Sequence, residues 1–173
     1  MSIGLVFWFM VLVFALVGSL RGWAKELLVA FSLVLALFVN LLLGKYAQNL
    51  LESLRLVDLF WVKAGVFGGL AYFGYLTPRL PWLPGNRFIR EHMQDWLLGM
   101  VIGAVNGALL FGSLWLFLHQ AGYPFAGMEF ARQTATDPQV VALMRYMPPM
   151  LLGEAWLLVA VAIAFVFVIV IFV

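Results

Sequence analysis

The sequence predicts an all-α fold, a polytopic transmembrane helix bundle of about five spans with short interfacial amphipathic helices. The first observation behind this prediction is composition: the chain of 173 residues is 65% hydrophobic and only 10% charged, and its mean hydropathy is +1.06. A soluble domain of this size cannot bury so much apolar surface. The second observation is that the apolar residues form runs of the length that a bilayer requires. Residues 1–173 are therefore interpreted as one integral membrane domain.

Five apolar runs are the predicted spans. They cover residues 3–20, 27–44, 59–77, 96–118 and 155–173. The first two hold 18 uncharged residues each, and at about 1.5 Å per residue such a helix nearly covers a hydrocarbon core of about 30 Å. No basic residue precedes Ile3, so we expect the first run to be a retained helix rather than a cleaved signal peptide. Lys63 interrupts the third run near its start, and we expect its ammonium to extend to the interface.

Two connectors flank the third predicted span. We expect residues 45–58 to prolong the second span along the interface, because leucines lie on one side of this stretch and charged or amide side chains lie on the others. Residues 78–85 contain three prolines, which remove backbone donors and disfavour helix in the residues before them. This second connector should be extended or turning, and helical structure should resume near Arg87.

The connector between the fourth and fifth spans contains a predicted amphipathic helix on the membrane surface. Asp137-Pro138 has the form of an N-cap followed by the first helical residue. Apolar residues then recur at helical spacing until Pro148-Pro149, where we expect the helix to stop.

Charge and cysteine content limit the possible partners and indicate an orientation. The formal net charge is +2, which is too small to indicate nucleic-acid binding. The chain has no cysteine, which excludes disulfides and thiolate metal sites. Arg21 and Lys25 place two cations in the short first loop. Because cytoplasmic loops are enriched in Lys and Arg, we expect the N-terminus outside and the C-terminus in the cytoplasm.

Small residues mark a packing surface on the fourth span. Gly99, Gly103 and Gly107 fall at positions i, i+4 and i+8 of a helix, so another backbone can approach closely along this ridge. Gly65 and Gly69 offer the same spacing in the third span. We interpret these glycines as tightening the bundle within one chain, and a homodimer face is the alternative.

No catalytic arrangement is recognisable, so we expect no enzyme activity. His92 lies in a connector and His119 at the end of the fourth span, and no HExxH, GxSxG or P-loop arrangement occurs. An intramembrane aspartyl protease needs two carboxylates close enough to share a proton, whereas Asp58 and Asp95 open spans from opposite sides of the membrane. We therefore predict no cofactor and no metal site.

The ionisable side chains lie near the predicted ends of the spans. Glu26, Lys63, Asp95 and Glu154 are all within about a turn or two of an end, whereas a channel or proton relay would place such groups near the midplane. The sequence therefore does not favour transport, and a small channel or transporter component is kept as an alternative.

Two asparagines lie inside predicted spans. Asn106 is in the middle of the fourth span and Asn40 is near the end of the second. An amide in lipid needs a hydrogen-bond partner, and a bond to another helix is worth about 1 kcal/mol. We interpret both residues as helix–helix contacts rather than substrate contacts.

The charges that open the second and fourth spans form two matched motifs. The first is Arg21-Gly22 followed by Lys25-Glu26, and the second begins at Asp95. In a five-span topology both openings lie on the same side of the membrane. We therefore expect Arg21 or Lys25 to pair with Asp95 and to fasten the first helical hairpin to the fourth span.

These motifs resemble those of the colicin V production protein (CvpA) family of small bacterial inner-membrane proteins. The residues that carry the resemblance are Ser19-Leu20-Arg21-Gly22, Lys25-Glu26-Leu27-Leu28, Asp95, Leu98-Gly99, Gly103-Ala104 and Gly107. The resemblance covers roughly residues 5–118. The chain departs from the family at Trp96, where a basic residue is common, at Asn106, where an arginine can occur, and in the whole fifth span.

The resemblance implies a multi-span envelope protein linked to colicin V production or export and to membrane homeostasis, without an established reaction. It places the chain in the bacterial inner membrane and gives the motif residues a role in assembly or partner docking. Two alternatives stay open, an accessory subunit of a larger respiratory or photosynthetic membrane complex and a small channel or transporter component. The expected partners are the lipid bilayer and either other membrane subunits or further copies of the chain.

Overall fold

Helices make up most of the part of the chain that the structure describes. The computed structural model describes residues 3–76 and 92–172, and within these ranges it contains nine helices and no strand. In chain order the helices are α1 (Ile3–Arg21), α2 (Trp23–Tyr46), α3 (Gln48–Glu52), α4 (Leu56–Tyr75), α5 (His92–Gln120), α6 (Glu129–Thr134), α7 (Pro138–Arg145), α8 (Pro148–Leu151) and α9 (Glu154–Phe172). This architecture confirms the predicted all-α class.

Four of the helices are long and apolar enough to cross a membrane. They are α1, α2, α4 and α5, so the chain is a membrane-embedded helical bundle. In α9, the stretch Glu154–Phe167 is apolar but, over the residues whose side chains the structure describes, is not long enough to count as a fifth. The fifth span over residues 155–173 therefore stays a prediction.

Three of the spanning helices begin earlier than the sequence predicts. α5 begins at His92 rather than at Trp96. α2 begins at Trp23 rather than at Leu27, and α4 begins at Leu56 rather than at Leu59. In α2 and α4 the added residues include a carboxylate that hydropathy assigns to the interface, and each of these two carboxylates has a cationic partner in the structure. Outside the described residues lie Thr77, residues 78–85 and Arg87.

The prediction that residues 45–58 prolong the second span is wrong. The chain leaves helical geometry at Ala47, where φ is −110° and ψ is 25°, and α3 is a separate short helix. The guanidinium of Arg55 then pairs with Asp58 at 2.8 Å. This pair lies across the first turn of α4. Residues 45–58 are thus divided among the end of α2, α3, the turns beside α3 and the start of α4.

α5 lies at the centre of the bundle. It packs against α1, α2, α4 and α8. α1 runs antiparallel to it, because Gly18 lies against Gly103 while Val11, nearer the start of α1, lies against Gly107. α9 runs antiparallel to α2.

Two apolar clusters form the interior. One joins α2, α4, α5 and α9, and within it the rings of Phe67 and Phe117 meet edge to face with centroids 5.8 Å apart. The other joins α1 and α5 to the connector after α5. The outward faces carry exposed apolar side chains such as Leu12, Trp61 and Val101, which lipid tails can solvate as well as another apolar helix can.

The connector after α5 contains the predicted helix. The side chain of Asp137 accepts a hydrogen bond from Gln139 N at 2.8 Å, and Pro138 is the first residue of α7, which confirms the predicted N-cap. Pro148-Pro149 opens α8 rather than only ending α7, because proline is tolerated in a first helical turn. Met144 and Met147, which flank the end of α7, are buried, so this segment packs onto the bundle.

Candidate functional site

A single glycine makes the turn between α1 and α2. Gly22 has a φ of 85°, a conformation that L side chains rarely adopt. A Cβ atom at this position would lie 2.9 Å from Oδ1 of Asp95, which is closer than real side chains approach. Both the backbone geometry and the neighbouring carboxylate therefore require glycine here.

Asp95 in α5 caps the N-terminus of α2. Its Oδ1 accepts a hydrogen bond from the backbone N–H of Trp23, the first residue of α2, at 3.0 Å. The residue at the usual N-cap position is Gly22, which has no side chain to do this. A carboxylate at a helix N-terminus satisfies a free N–H group and interacts favourably with the helix dipole. The motif aspartate thus connects two helices through the backbone.

The predicted ion pair between Asp95 and Arg21 or Lys25 is wrong. Among the described residues, Arg21 pairs instead with Glu26, with 2.6 Å between Nη1 and Oε1, and Lys25 is exposed with no ion pair. The physical reason is that Glu26 offers a buried acceptor near the end of α1, while Asp95 is occupied by the start of α2.

Glu26 is almost fully buried, although the sequence places it at the headgroup level. Only 1% of its side chain is exposed. Besides the bond from Arg21, its Oε2 accepts a hydrogen bond from Nδ2 of Asn106 at 2.8 Å. The same Nδ2 also donates to the backbone oxygen of Glu26 at 2.8 Å. Both carboxylate oxygens are therefore bound, one by the end of α1 and one by the middle of α5.

Tyr75, at the end of α4, completes this group of side chains. The guanidinium carbon of Arg21 lies 4.6 Å from the centre of the Tyr75 ring, a distance at which a cation is attracted to the face of the ring. The hydroxyl of Tyr75 and Oδ1 of Asn106 are buried without a hydrogen-bond partner in the described part of the chain. We call Arg21, Glu26, Tyr75 and Asn106 the buried polar cluster; it brings α1, α2, α4 and α5 together.

The glycine ridge of α5 adjoins this cluster and packs within the chain. A Cβ atom on Gly103 would lie 2.9 Å from Cα of Gly18 and would also clash with the backbone oxygen of Phe14. Gly99 lies equally close to the backbone of Gly18, and a Cβ on Gly107 would lie 3.1 Å from Cα of Val11. This is the packing interpretation preferred from the sequence, with α1 as the partner helix. Gly18 is the partner that the sequence analysis missed.

The glycines of α4 behave differently. Apart from the backbone of α4 itself, no atom of the described residues lies within 4 Å of a Cβ built on Gly65 or on Gly69, and both glycines are exposed. These positions are therefore on an open face of the bundle rather than in a helix contact. Glycines four positions apart therefore lie in a helix contact in α5 but on an open face in α4.

A second polar group lies at the other end of the bundle, where α2 and α5 end and α4 begins. Lys63 is partly buried, and its ammonium donates to Oε1 of Gln120, at the exposed end of α5, at 3.1 Å; its extension to the interface stays a prediction. Asn40 is 9% exposed and its Nδ2 donates to the oxygen of Ala36 within its own helix. Within residues 3–76 and 92–172, Asn40 therefore makes no bond to another helix, contrary to the interpretation from the sequence.

Tyr123, just after α5, organises the turn at this end. Its hydroxyl accepts a hydrogen bond from Nε1 of Trp115 at 3.0 Å and lies 3.1 Å from Nδ1 of His119. Its backbone oxygen accepts a bond from Arg132 at 2.8 Å. Burial raises the pKa of the Tyr123 phenol above its ordinary value of 10.0, and the bond from Trp115 offsets part of this rise.

The chemistry of the buried polar cluster is that of a balanced ion pair. One carboxylate faces one guanidinium and one amide, so a charge that would be costly in lipid is neutralised. Among the described residues, no group of three or more His, Cys, Asp or Glu side chains could hold a metal ion. The arrangement is suited to holding helices together.

Comparison of the chain with protein-family models, with curated proteins and with solved structures gives no match. The functional argument therefore rests on the residues themselves. Of the motif residues predicted from the sequence, Leu20, Lys25 and Leu98 lie on the exposed surface. Gly22, Asp95 and the glycine ridge form the cap and glycine contacts between α5 and the first hairpin, and Arg21, Glu26 and Asn106 belong to the adjoining buried polar cluster.

Proposed function

We propose that the chain is a non-enzymatic integral protein of the bacterial inner membrane that serves colicin V production or export, or envelope homeostasis, as the CvpA family that it resembles does. In this proposal the N-terminus is outside and the C-terminus is cytoplasmic. The helix bundle acts as an assembly or docking module and not as a catalyst.

The observation that carries this proposal is that the residues behind the resemblance meet in space. Gly22 lies against Asp95, and the glycine ridge of α5 lies against α1. Glu26 is bound by Arg21. Motifs about seventy positions apart in the chain thus form one continuous helix contact, as expected if they specify one assembled shape.

Complementation tests the proposal. The chain is produced in a bacterium that carries a colicin V plasmid and lacks its own protein of this family, and secreted colicin V is measured by growth inhibition of a sensitive strain. We expect the wild type to restore secretion and Asp95→Ala to restore it less. Gln94→Ala is the matched control, because Gln94 is the exposed neighbour of Asp95. Wild-type chain that reaches the membrane at normal levels without restoring secretion would contradict the proposal.

An accessory subunit of a larger membrane complex is the second candidate. The observation that favours it is the open face of α4 at Gly65 and Gly69, since exposed small residues four apart allow another helix to approach closely. Purification in mild detergent with mass spectrometry of the stably associated chains distinguishes the two. Stable stoichiometric foreign subunits favour the accessory role, whereas ion leakage from liposomes that contain the chain alone would favour a small channel.

A further inference from the structure

A small cavity lies between α2, α4, α5 and α9 at the end of the bundle opposite Asp95. Its volume is about 190 Å³, and its lining includes Asn40, Lys63, Phe117 and Gln120. This volume is well above the about 10–15 Å³ that one water requires and below the about 300–1,000 Å³ of sites for drug-sized ligands. The cavity therefore has room for a small group, and three of its ten lining residues, Asn40, Lys63 and Gln120, are polar.

The cavity contains a positive charge without a counter-charge. Lys63 has a hydrogen bond to the neutral amide of Gln120 and forms no ion pair in the part of the chain that the structure describes. Its ammonium lies 5.9 Å from the centre of the Phe117 ring. An ionisable side chain inside a membrane span is costly unless it is paired and is therefore often part of a binding site.

The neighbouring carboxylates already have other partners. Glu154, at the start of α9, pairs with Lys45 at 2.6 Å. Asp58, five residues before Lys63 in α4, pairs with Arg55 at 2.8 Å. Neither is bonded to Lys63, and an anion from outside the chain would provide the missing counter-charge.

Asn40 supplies a second unsatisfied group. Its Nδ2 donates to the backbone oxygen of Ala36 at 3.0 Å, and because a carbonyl oxygen can only accept, this bond fixes which side of the amide is nitrogen. The remaining Oδ1 is buried and has no partner among the described residues. A buried acceptor without a donor is unfavourable. The cavity thus combines a free acceptor with the donors of Lys63.

We propose that this cavity binds a small anionic phosphate group that also presents a hydroxyl, either as free phosphate or as part of a phospholipid headgroup. The anionic oxygens accept hydrogen bonds from Nζ of Lys63 and from Nε2 of Gln120, whose Oε1 is occupied by Lys63. The hydroxyl, which is the acidic P–OH of phosphate or a glycerol hydroxyl of a headgroup, donates to Oδ1 of Asn40. This site is independent of the proposed role in colicin V production.

Thermal unfolding of the purified full-length chain tests the site. In detergent, inorganic phosphate is compared with chloride at equal ionic strength, and in nanodiscs phosphatidylglycerol is compared with phosphatidylcholine. A ligand that binds only the folded state raises Tm, and we expect a rise of at least about 2 °C at saturating probe. A rise with inorganic phosphate identifies the free anion as the source, and a rise with phosphatidylglycerol alone identifies the headgroup.

Variants decide whether the rise comes from this cavity. Lys63→Met keeps the length of the side chain and removes its charge, and we expect it to abolish the rise, while Lys63→Arg retains it. Lys25→Met is the matched control, since Lys25 is an exposed lysine at the other end of the bundle. Gln120→Ala, at an exposed position, should reduce the rise. No rise with either probe in the wild type, or an equal rise in Lys63→Met, would overturn the proposal.

Discussion

The carboxylate of Asp95 accepts a hydrogen bond from the backbone N–H of Trp23 at 3.0 Å, although the two residues are 72 positions apart. A side chain of α5 thereby does for α2 what an N-cap residue ordinarily does for its own helix. Gly22, in the turn between α1 and α2, leaves space for the Asp95 carboxylate because it has no side chain.

Removing this cap should destabilise the bundle. Loss of an N-cap side chain costs about 0.5–2 kcal/mol, so we expect Asp95→Ala to lower the free energy of unfolding in detergent by that amount. Asp95→Asn should cost less, because its amide oxygen can still accept the bond. Gln94→Ala is the control and should stay within about 0.5 kcal/mol of the wild type. Equal stability of Asp95→Ala and Gln94→Ala would show that the cap is unimportant.

The buried ion pair should appear as an energetic coupling. Residues that share an ion pair show interaction energies of about 0.5–3 kcal/mol in double-mutant cycles. We therefore expect Arg21→Gln and Glu26→Gln together to cost less than the sum of the two single changes. The cycle for Arg21 and Asp95 should show a smaller coupling, since these residues form no ion pair. A larger coupling between Arg21 and Asp95 than between Arg21 and Glu26 would instead support the ion pair with Asp95 that the sequence predicted.

The contact between glycines predicts opposite effects for one substitution at two positions. Gly103→Ala forces a methyl group against the backbone of α1, and overpacking of this kind costs about 1–3 kcal/mol. Gly69→Ala places the same methyl group in open space, where alanine's helix preference of about 1 kcal/mol over glycine makes the change neutral or stabilising. Thermal unfolding of the two variants in one detergent measures the difference. A destabilised Gly69→Ala beside an unaffected Gly103→Ala would contradict the packing.

Cysteine labelling tests the proposed orientation, and the chain has no native cysteine. Gln48 and Gln133 follow the ends of α2 and α5, which point to one side, whereas Gln94 lies at the start of α5 on the other; all three are exposed. We expect an impermeant maleimide to label Gln48→Cys and Gln133→Cys in intact cells and Gln94→Cys only after the membrane is opened. Labelling of Gln94→Cys alone in intact cells would mean that the orientation is reversed.

Stability should depend on alkaline pH through Tyr123. Burial raises the pKa of this phenol above 10.0 in the folded chain, so the folded state holds the proton more tightly than the unfolded chain does. The resulting stability is complete below pH 10 and is lost as the pH rises toward and through the folded-state pKa. We expect the wild type to lose free energy of unfolding more steeply than Tyr123→Phe in this range. Parallel curves for the two proteins would disprove the contribution.

Hydropathy was sufficient to predict the membrane class and the approximate positions of α1, α2, α4 and α5. It placed Glu26 outside a span, because a lone carboxylate is unfavourable in lipid. The structure buries this residue because its partners come from the end of α1 and the middle of α5. A periodic pattern within one helix contains no information about such distant partners.

The same limit explains the other differences at the site. The spacing of Gly99 and Gly103 indicated a close helix contact, but the identical spacing at Gly65 and Gly69 leads to an open face. What distinguishes them is whether a small residue such as Gly18 lies opposite on a neighbouring helix. That is a property of the assembled bundle and cannot be read from either helix alone.

The cap from α5 also has a consequence for biosynthesis. At about 5–20 residues per second, the 72 positions between Trp23 and Asp95 take roughly 4–14 s to translate. During that interval the first hairpin is already made while its cap and the amide that binds Glu26 are not. Arg21 can already pair with Glu26 in that hairpin, and water or lipid headgroups must supply the hydrogen bonds that Asp95 and Asn106 later provide to the start of α2.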